Sequence, residues 1–123
     1  MNASNPRSAE SLLNTDRALV LARIANLRAE FDAIVASSRE GSAGSDDEHD
    51  PEGATVAFER QHVAALLGRE REHLAAIDTA LGKIESGMYE ICDICGGPIG
   101  AERLAARPAS LICVRCAAKR RQR

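Results

Sequence analysis

Residues 92–116 read CDICGGPIGAERLAARPASLICVRC and contain two Cys-x-x-Cys pairs separated by seventeen residues. Two residues between cysteines let both sulfurs of a pair face one ion, and two such pairs typically build a tetrahedral zinc site. The pattern therefore predicts one Zn²⁺, bound by Cys92, Cys95, Cys113 and Cys116. Four thiolates leave no coordination position for water, so the predicted site is structural.

The residues around the cysteines favour the same interpretation. Gly96 and Gly97 follow the first pair, where glycine lets backbone amides turn toward sulfur. The basic residues expected to offset the negative charge of the site are Arg103, Arg107, Arg115 and Lys119. A redox pair is the competing interpretation, but thioredoxin-like chemistry uses one pair at a strand-to-helix turn, and no sheet is predicted here.

Upstream of the cysteines, apolar residues recur at three- and four-residue steps in two long segments. The first segment, about residues 8–38, carries Leu13, Val20, Ile24, Leu27, Phe31 and Ile34, and Arg17 occupies one position where an apolar residue is expected. The second lies beyond Pro51 and Gly53 and carries Val56, Val63, Leu67, Leu74, Ile77, Leu81, Ile84 and Met88, interrupted by Arg60 and Glu70. Each segment predicts a helix of about 30 residues, or about 45 Å.

Two helices of equal length joined by one polar loop are expected to fold back on each other as an antiparallel coiled coil. Pairing with helices of a second chain is the alternative. The predicted fold is all-α dominated, with this helical hairpin, a small C-terminal zinc finger and a short terminal helix. The predicted boundaries are a disordered N-terminus at 1–7, the hairpin at 8–86 with an acidic tip loop at about 39–54, the finger at 87–118 and a basic tail at 119–123.

Composition excludes several classes of function. The chain has 123 residues, a formal net charge of -2, two Phe, one Tyr and no Trp, so its core must be mainly aliphatic. No apolar run approaches the roughly 18 residues of a membrane helix, and no signal sequence is recognisable, so a cytoplasmic protein without a membrane partner is expected. No phosphate-binding loop or catalytic Ser/His/Asp set is visible, so no enzymatic function is expected.

Charge is distributed unevenly along the chain. Five acids crowd one short stretch, and they are Asp46, Asp47, Glu48, Asp50 and Glu52. The basic residues Arg115, Lys119, Arg120, Arg121 and Arg123 crowd the C-terminus. Two Glu-x-x-His pairs end at His62 and His73 and superficially resemble di-iron ligands. Because the first helix offers almost no inward acids, both histidines are interpreted as solvated surface residues.

Together, the hairpin, the acidic loop and the cysteine segment resemble the DksA/TraR family of bacterial transcription regulators. The resemblance is carried by Cys-x-x-Cys-Gly, Ile99-Gly100, Arg103-Leu104, Ala106-Arg107-Pro108 and the second Cys-x-x-Cys. It covers nearly the whole chain as far as Cys116 and is strongest over residues 85–116.

The resemblance implies a protein that binds RNA polymerase without contacting DNA and inserts its coiled coil into the secondary channel. Acids at the tip would then approach the catalytic centre, and the matching residues here are Asp47, Asp50 and Glu52. The family's best-known members carry two aspartates three positions apart, whereas Gly53 stands three positions after Asp50, which leaves Asp47/Asp50 or Asp50/Glu52 as substitutes. The protein is expected to be a monomer.

Some family members also respond to guanosine tetraphosphate, held at the polymerase interface by basic side chains. Arg69 and Arg107 match that pattern, whereas Ala76 and Ala117 stand where lysines are expected. Two other functions remain open on the residues alone. One is a nucleic-acid-binding zinc protein that uses the basic C-terminus on phosphates, and the other is a homodimeric coiled-coil adaptor.

Overall fold

The computed structural model describes residues 5–42 and 51–122, with the side chains of 38–42 and 51–52 outside the description. Four helices follow in chain order: α1 (Pro6–Ser42), α2 (Pro51–Ser86), α3 (Ala101–Ala106) and α4 (Val114–Arg121). In the described ranges, the only extended pairing is an isolated antiparallel bridge between Ile91 and Pro98. None of the described helices is both long enough and apolar enough to cross a membrane. The predicted all-α fold with a small C-terminal finger is confirmed.

The first helix starts earlier than the sequence predicted. Asn5 caps it, because the Asn5 Oδ1 accepts the Arg7 N–H at 3.1 Å and the Asn5 carbonyl accepts the Ala9 N–H at 2.9 Å. Pro6 takes the first helical position, where its missing N–H costs nothing. Residues 6 and 7, which were expected in the N-terminal segment before the hairpin, therefore belong to α1.

The ends of the long helices also differ from their predicted positions. The first continues through Gly41 to Ser42, since one glycine costs a helix only about 1 kcal/mol. The second begins at Pro51, earlier than the predicted start beyond Gly53, and ends at Ser86, as the spacing predicted. At the C-terminus, residues 119–121 form the last turn of α4 rather than a separate tail.

The chain divides into two compact units. The finger unit comprises residues 5–19 and 73–122 of the described chain, and the helical unit comprises the described part of Val20–Glu72. Buried apolar side chains of the finger unit are Ala9, Leu13, Ile77, Ala80, Tyr89, Cys92, Ile99, Leu104 and Cys116. In the helical unit they are Val20, Val63 and Leu67.

The predicted apolar seams face inward over most of their length. The other seam positions are half-buried and comprise Ile24, Leu27, Phe31, Ile34, Val56, Leu74, Leu81 and Ile84. Met88 is the exception, because it lies beyond the end of α2 and is 46% exposed. The seams therefore define two helices that pack along one narrow face each.

Two of the polar residues that interrupt the seams form ion pairs between α1 and α2. Arg17 Nε lies 2.7 Å from Asp78 Oδ1 in the finger unit. In the helical unit, Arg23 Nε lies 3.3 Å from Glu70 Oε2. In these two pairs the earlier residue of α1 contacts the later residue of α2, which is the order of an antiparallel hairpin.

Candidate metal centre

The first cysteine pair lies in a tight loop closed by backbone hydrogen bonds. The Cys92 N–H donates to the Gly97 carbonyl at 2.8 Å, and the Gly96 N–H donates back to the Cys92 carbonyl at 3.0 Å. Gly96 has a φ of 73°, a left-handed conformation that favours glycine. The loop thereby directs amides at sulfur: the Ile94 N–H lies 3.4 Å from Cys92 Sγ, and the Gly97 N–H lies 3.4 Å from Cys95 Sγ.

The second pair is positioned by the start of α4. Cys113 is the N-cap residue of that helix, and Cys116 lies buried in its first turn. The Cys113 N–H donates to Cys92 Sγ at 3.3 Å, so the second pair contributes an amide to a sulfur of the first. The Asp93 N–H also donates to the Leu111 carbonyl at 2.9 Å. Backbone contacts therefore hold the two halves of the site together.

The sulfur positions fit a tetrahedral zinc ion. The four Sγ atoms lie within 4.8 Å of one another, and Cys95 Sγ is 3.8 Å from Cys113 Sγ. Zn–S bonds of about 2.3 Å in a regular tetrahedron place sulfurs about 3.8 Å apart. Because all four donors are cysteine, the group forms one structural zinc site with no open position for a substrate.

The environment prepares some of the thiols to lose their protons. Backbone hydrogen bonds, that of Cys95 first and those of Cys113 and Ile94 after it, lower the pKa of Cys92 to about 6 although burial opposes them. The backbone hydrogen bond of Cys116 likewise lowers the pKa of Cys113. Burial raises the pKa of Cys116 to about 12. Zinc ligation displaces the protons that remain on the thiols, which makes zinc affinity rise with pH.

Three residues outside the cysteine motif hold the finger in shape. The Tyr89 hydroxyl donates to the Pro108 carbonyl at 2.8 Å, and burial raises the pKa of this phenol. Arg103 Nε donates to the Ile112 carbonyl at 3.0 Å, directly before Cys113. Lys83 Nζ donates to the Ile91 carbonyl and to Asp93 Oδ1, on either side of Cys92. The sequence indicated a charge role for Arg103. It gave no signal for Tyr89 or Lys83, because their partners are the backbone carbonyls of Pro108 and Ile91 and the side chain of Asp93.

Comparison with known proteins adds to this geometry. Residues 87–122 match the family model described as a prokaryotic dksA/traR C4-type zinc finger. The chain is 30% identical over 112 residues to the RNA polymerase-binding transcription factor DksA of Haemophilus influenzae, covering 87% of this chain and 76% of that protein. The chain belongs to the DksA/TraR family.

Other relatives match over different lengths. Identity to the DksA of Escherichia coli K12 is 33% over 92 residues, which cover 73% of this chain and 58% of that protein. The uncharacterized protein YteA of Bacillus subtilis is 41% identical over 70 residues, covering 57% of this chain and 29% of YteA. The structure of transcription factor DksA2 from Pseudomonas aeruginosa matches with a TM-score of 0.53 and 28% identity, over 99% of this chain and 91% of that one.

The remaining residues that the DksA/TraR resemblance singled out fall into three places. Asp47 and Asp50 lie outside the described residues, and Glu52 lies in the first turn of α2 with its side chain outside the description. Arg69 is exposed on α2 in the helical unit. Arg107 is exposed in the finger unit and lines a cavity of about 420 Å³ together with Arg103.

The histidines differ from their predicted roles in one respect. His62 is exposed on α2, as expected of a surface residue. His73 is also exposed, but its Nε2 lies 2.8 Å from Asp16 Oδ2 on α1. One acid of the first helix therefore does reach across to the second, and this contact places His73 beside the Arg107 cavity.

Proposed function

We propose that this chain is a transcription regulator that binds RNA polymerase and is not an enzyme. The observation that carries the proposal is the similarity to the polymerase-binding DksA of Haemophilus influenzae, which covers 87% of this chain. Because the chain spans 58% of the Escherichia coli protein and 76% of the Haemophilus one, the polymerase contact itself is part of the proposal. A cytoplasmic location goes with that partner.

In this proposal the helical hairpin enters the secondary channel of the polymerase, and the acids Asp47, Asp50 and Glu52 modulate initiation near the catalytic centre. Carboxylates can act there through charge on a bound metal ion or a basic channel lining. The zinc finger holds the base of the hairpin outside the channel. The proposed complex contains one copy of the chain and no direct DNA contact.

The experiment compares the wild type with the variant Asp47→Ala/Asp50→Ala/Glu52→Ala in a pull-down of polymerase core and in transcription in vitro. Both proteins should bind the core, and only the wild type should change the yield of transcript. The matched control is Glu10→Ala/Glu30→Ala/Glu59→Ala, which removes three exposed acids of the helices and the same charge. The control should behave as the wild type does.

Failure of the wild type to bind polymerase core would overturn the proposal. Loss of regulation in both triple variants would instead assign the effect to net charge and not to the tip. Retention of the wild type by DNA, with binding that weakens steeply as salt rises, would favour a nucleic-acid-binding function of the basic α4. Sedimentation at twice the chain mass would favour the coiled-coil adaptor.

Guanosine tetraphosphate is the proposed effector at the polymerase interface, with Arg69 and Arg107 as its contacts. Arg107 supports this because it is exposed at a cavity that also holds Arg103, and guanidinium groups bind phosphates in a bidentate manner. Arg107→Ala and Arg69→Ala should each reduce the nucleotide's effect on transcription, whereas Arg121→Ala on α4 should leave it unchanged. An unchanged response in both Arg107→Ala and Arg69→Ala would remove the nucleotide from the proposal.

A further inference from the structure

Lys83 occupies an unusual position for a lysine. It lies in the last turn of α2, yet its side chain is only 11% exposed. Its ammonium donates to the Ile91 carbonyl at 2.6 Å and to Asp93 Oδ1 at 2.8 Å. A buried ammonium is costly unless it is paired, so these two contacts determine where the side chain rests.

The main chain of the same residue closes the end of α2. The Met88 N–H donates to the Lys83 carbonyl at 2.8 Å, and the Gly87 N–H donates to the Ile84 carbonyl at 3.2 Å. Gly87 has a φ of 75°, which completes a Schellman motif. Lys83 therefore connects the helix end to the finger twice, by its carbonyl and by its ammonium.

Both side-chain contacts of Lys83 flank a zinc ligand. Cys92 stands between Ile91 and Asp93 in the chain and is 2% exposed. Asp93 is also held from the other side, because its N–H donates to the Leu111 carbonyl. With residues 91 and 93 both held by Lys83, the Cys92 sulfur has little freedom to leave the position in which it accepts the Ile94 and Cys113 amides.

The charge of Lys83 acts in the same direction. A zinc ion with four thiolates carries a net charge of about -2, which nearby cations offset. The ammonium also lies at the C-terminal end of a helix, where positive charge is favoured. We infer that Lys83 is a positioning residue of the zinc site, holding the first cysteine loop closed and thereby slowing the release of zinc.

This role concerns the zinc site alone and does not depend on binding to polymerase. It differs from a purely structural role at the end of α2 in what it predicts for metal exchange. A residue that only stabilises the helix end would change the melting temperature equally with and without zinc. A positioning residue changes the rate of zinc release at temperatures far below melting.

The test measures zinc release from the zinc-loaded full chain into an excess of the chromogenic chelator 4-(2-pyridylazo)resorcinol. Lys83→Met removes the charge and both donors, and should release zinc about tenfold faster, the low end of the effect of outer-shell changes on metal sites. Lys83→Arg keeps the charge and the donors, so its rate of zinc release should lie between those of the wild type and Lys83→Met. Asp93→Asn removes the ion pair and leaves the contact with the Ile91 carbonyl, so its effect should be smaller than that of Lys83→Met.

Lys119→Met is the matched control. Lys119 lies on α4 beside the cysteines and lines the same cavity as Cys95, Cys113 and Cys116. Within residues 5–42 and 51–122, its ammonium makes no hydrogen bond or ion pair. Its replacement removes one positive charge near the site and no held contact, so it should accelerate release less than Lys83→Met, which also removes both donors.

A double-mutant cycle separates the pair from its surroundings. Asp93→Asn should accelerate release in the wild type and have little further effect in Lys83→Met, because the partner is already gone. Release from Lys83→Met at the wild-type rate, or no faster than from Lys119→Met, would overturn the inference. If Lys83→Met does not fold, Asp93→Asn and Lys83→Arg carry the test, and wild-type release from both would overturn it equally.

Discussion

The finger unit and the helical unit use the same two helices and are stabilised by different interactions. Of the twelve buried apolar residues of the described chain, nine belong to the finger unit and three to the helical unit. The finger unit adds the cysteine site and the contacts of Lys83, Tyr89 and Arg103 with backbone carbonyls. In the helical unit, Arg23 on α1 forms an ion pair with Glu70 on α2.

The comparison teaches that a continuous seam does not produce continuous burial. Two helices alone cover one narrow face of each other, so the seam residues Leu27 and Phe31 stay half-buried. In the finger unit, where Tyr89 and Leu104 are also buried, the seam residue Ile77 is fully buried. We therefore expect the stability of the finger unit to depend on specific contacts and the metal. The stability of the helical unit should depend on the sum of many weak apolar contacts.

Removal of zinc gives the largest expected contrast between the units. Structural zinc contributes on the order of 10 kcal/mol to the folding of isolated finger peptides, because the site exists only in the folded state. Chelation should abolish the hydrogen-exchange protection of residues 87–122 and change that of the helical unit much less. Protection of 87–122 that survives complete removal of zinc would refute the structural role of the metal.

Replacing one leucine of each unit by alanine compares how tightly the two units are packed. Leu13 is 1% exposed in the finger unit, and Leu13→Ala should lower the free energy of unfolding of the protein by about 3 kcal/mol. Leu27→Ala in the helical unit should cost about half as much, because Leu27 is only half-buried. Urea unfolding followed by circular dichroism measures both, and equal losses would contradict the contrast in burial.

Tyr89→Phe tests one polar contact of the finger unit. It removes the hydroxyl that donates to the Pro108 carbonyl, and should cost about 1 kcal/mol. The cost has a defined pH dependence, because burial raises the pKa of Tyr89 above its ordinary value of 10.0. The unfolded phenol loses its proton first, so the stability advantage of the wild type over Tyr89→Phe should shrink as pH rises above about 10. A difference that is constant between pH 8 and 11 would show that the phenol does not couple to folding.

Glycine substitutions give the smallest expected effects, with opposite signs in the two units. A Cβ on Gly68 of the helical unit meets no heavy atom within 4 Å, so Gly68→Ala should stabilise the protein by about 0.5–1 kcal/mol. Gly96→Ala in the finger unit should destabilise by about 1 kcal/mol, because its φ of 73° is left-handed. Thermal melting of the two variants measures the signs, and two shifts in the same direction would contradict this difference between the units.

Most of the fold and the metal site could be predicted because both depend on short-range spacing. The three- and four-residue periodicity requires two helices, and Cys92, Cys95, Cys113 and Cys116 allow few arrangements other than one tetrahedral site. The start of α1 was also readable, since Asn5 before Pro6 is a capping signal, but the polar composition of the N-terminus obscured it. Met88 was misassigned because the periodicity continues by chance past Gly87, where the chain leaves the helix.

The sequence by itself determined the two long helices, where the zinc binds and which family the chain belongs to, because those properties follow from local patterns of residues. Only the tertiary structure decided the partners of isolated polar side chains. Asp78 for Arg17, Asp16 for His73 and the Ile91 carbonyl for Lys83 are reached across the hairpin or the finger. Such pairs depend on the register of packed elements and the direction of backbone carbonyls, and neither leaves a periodic mark in the sequence.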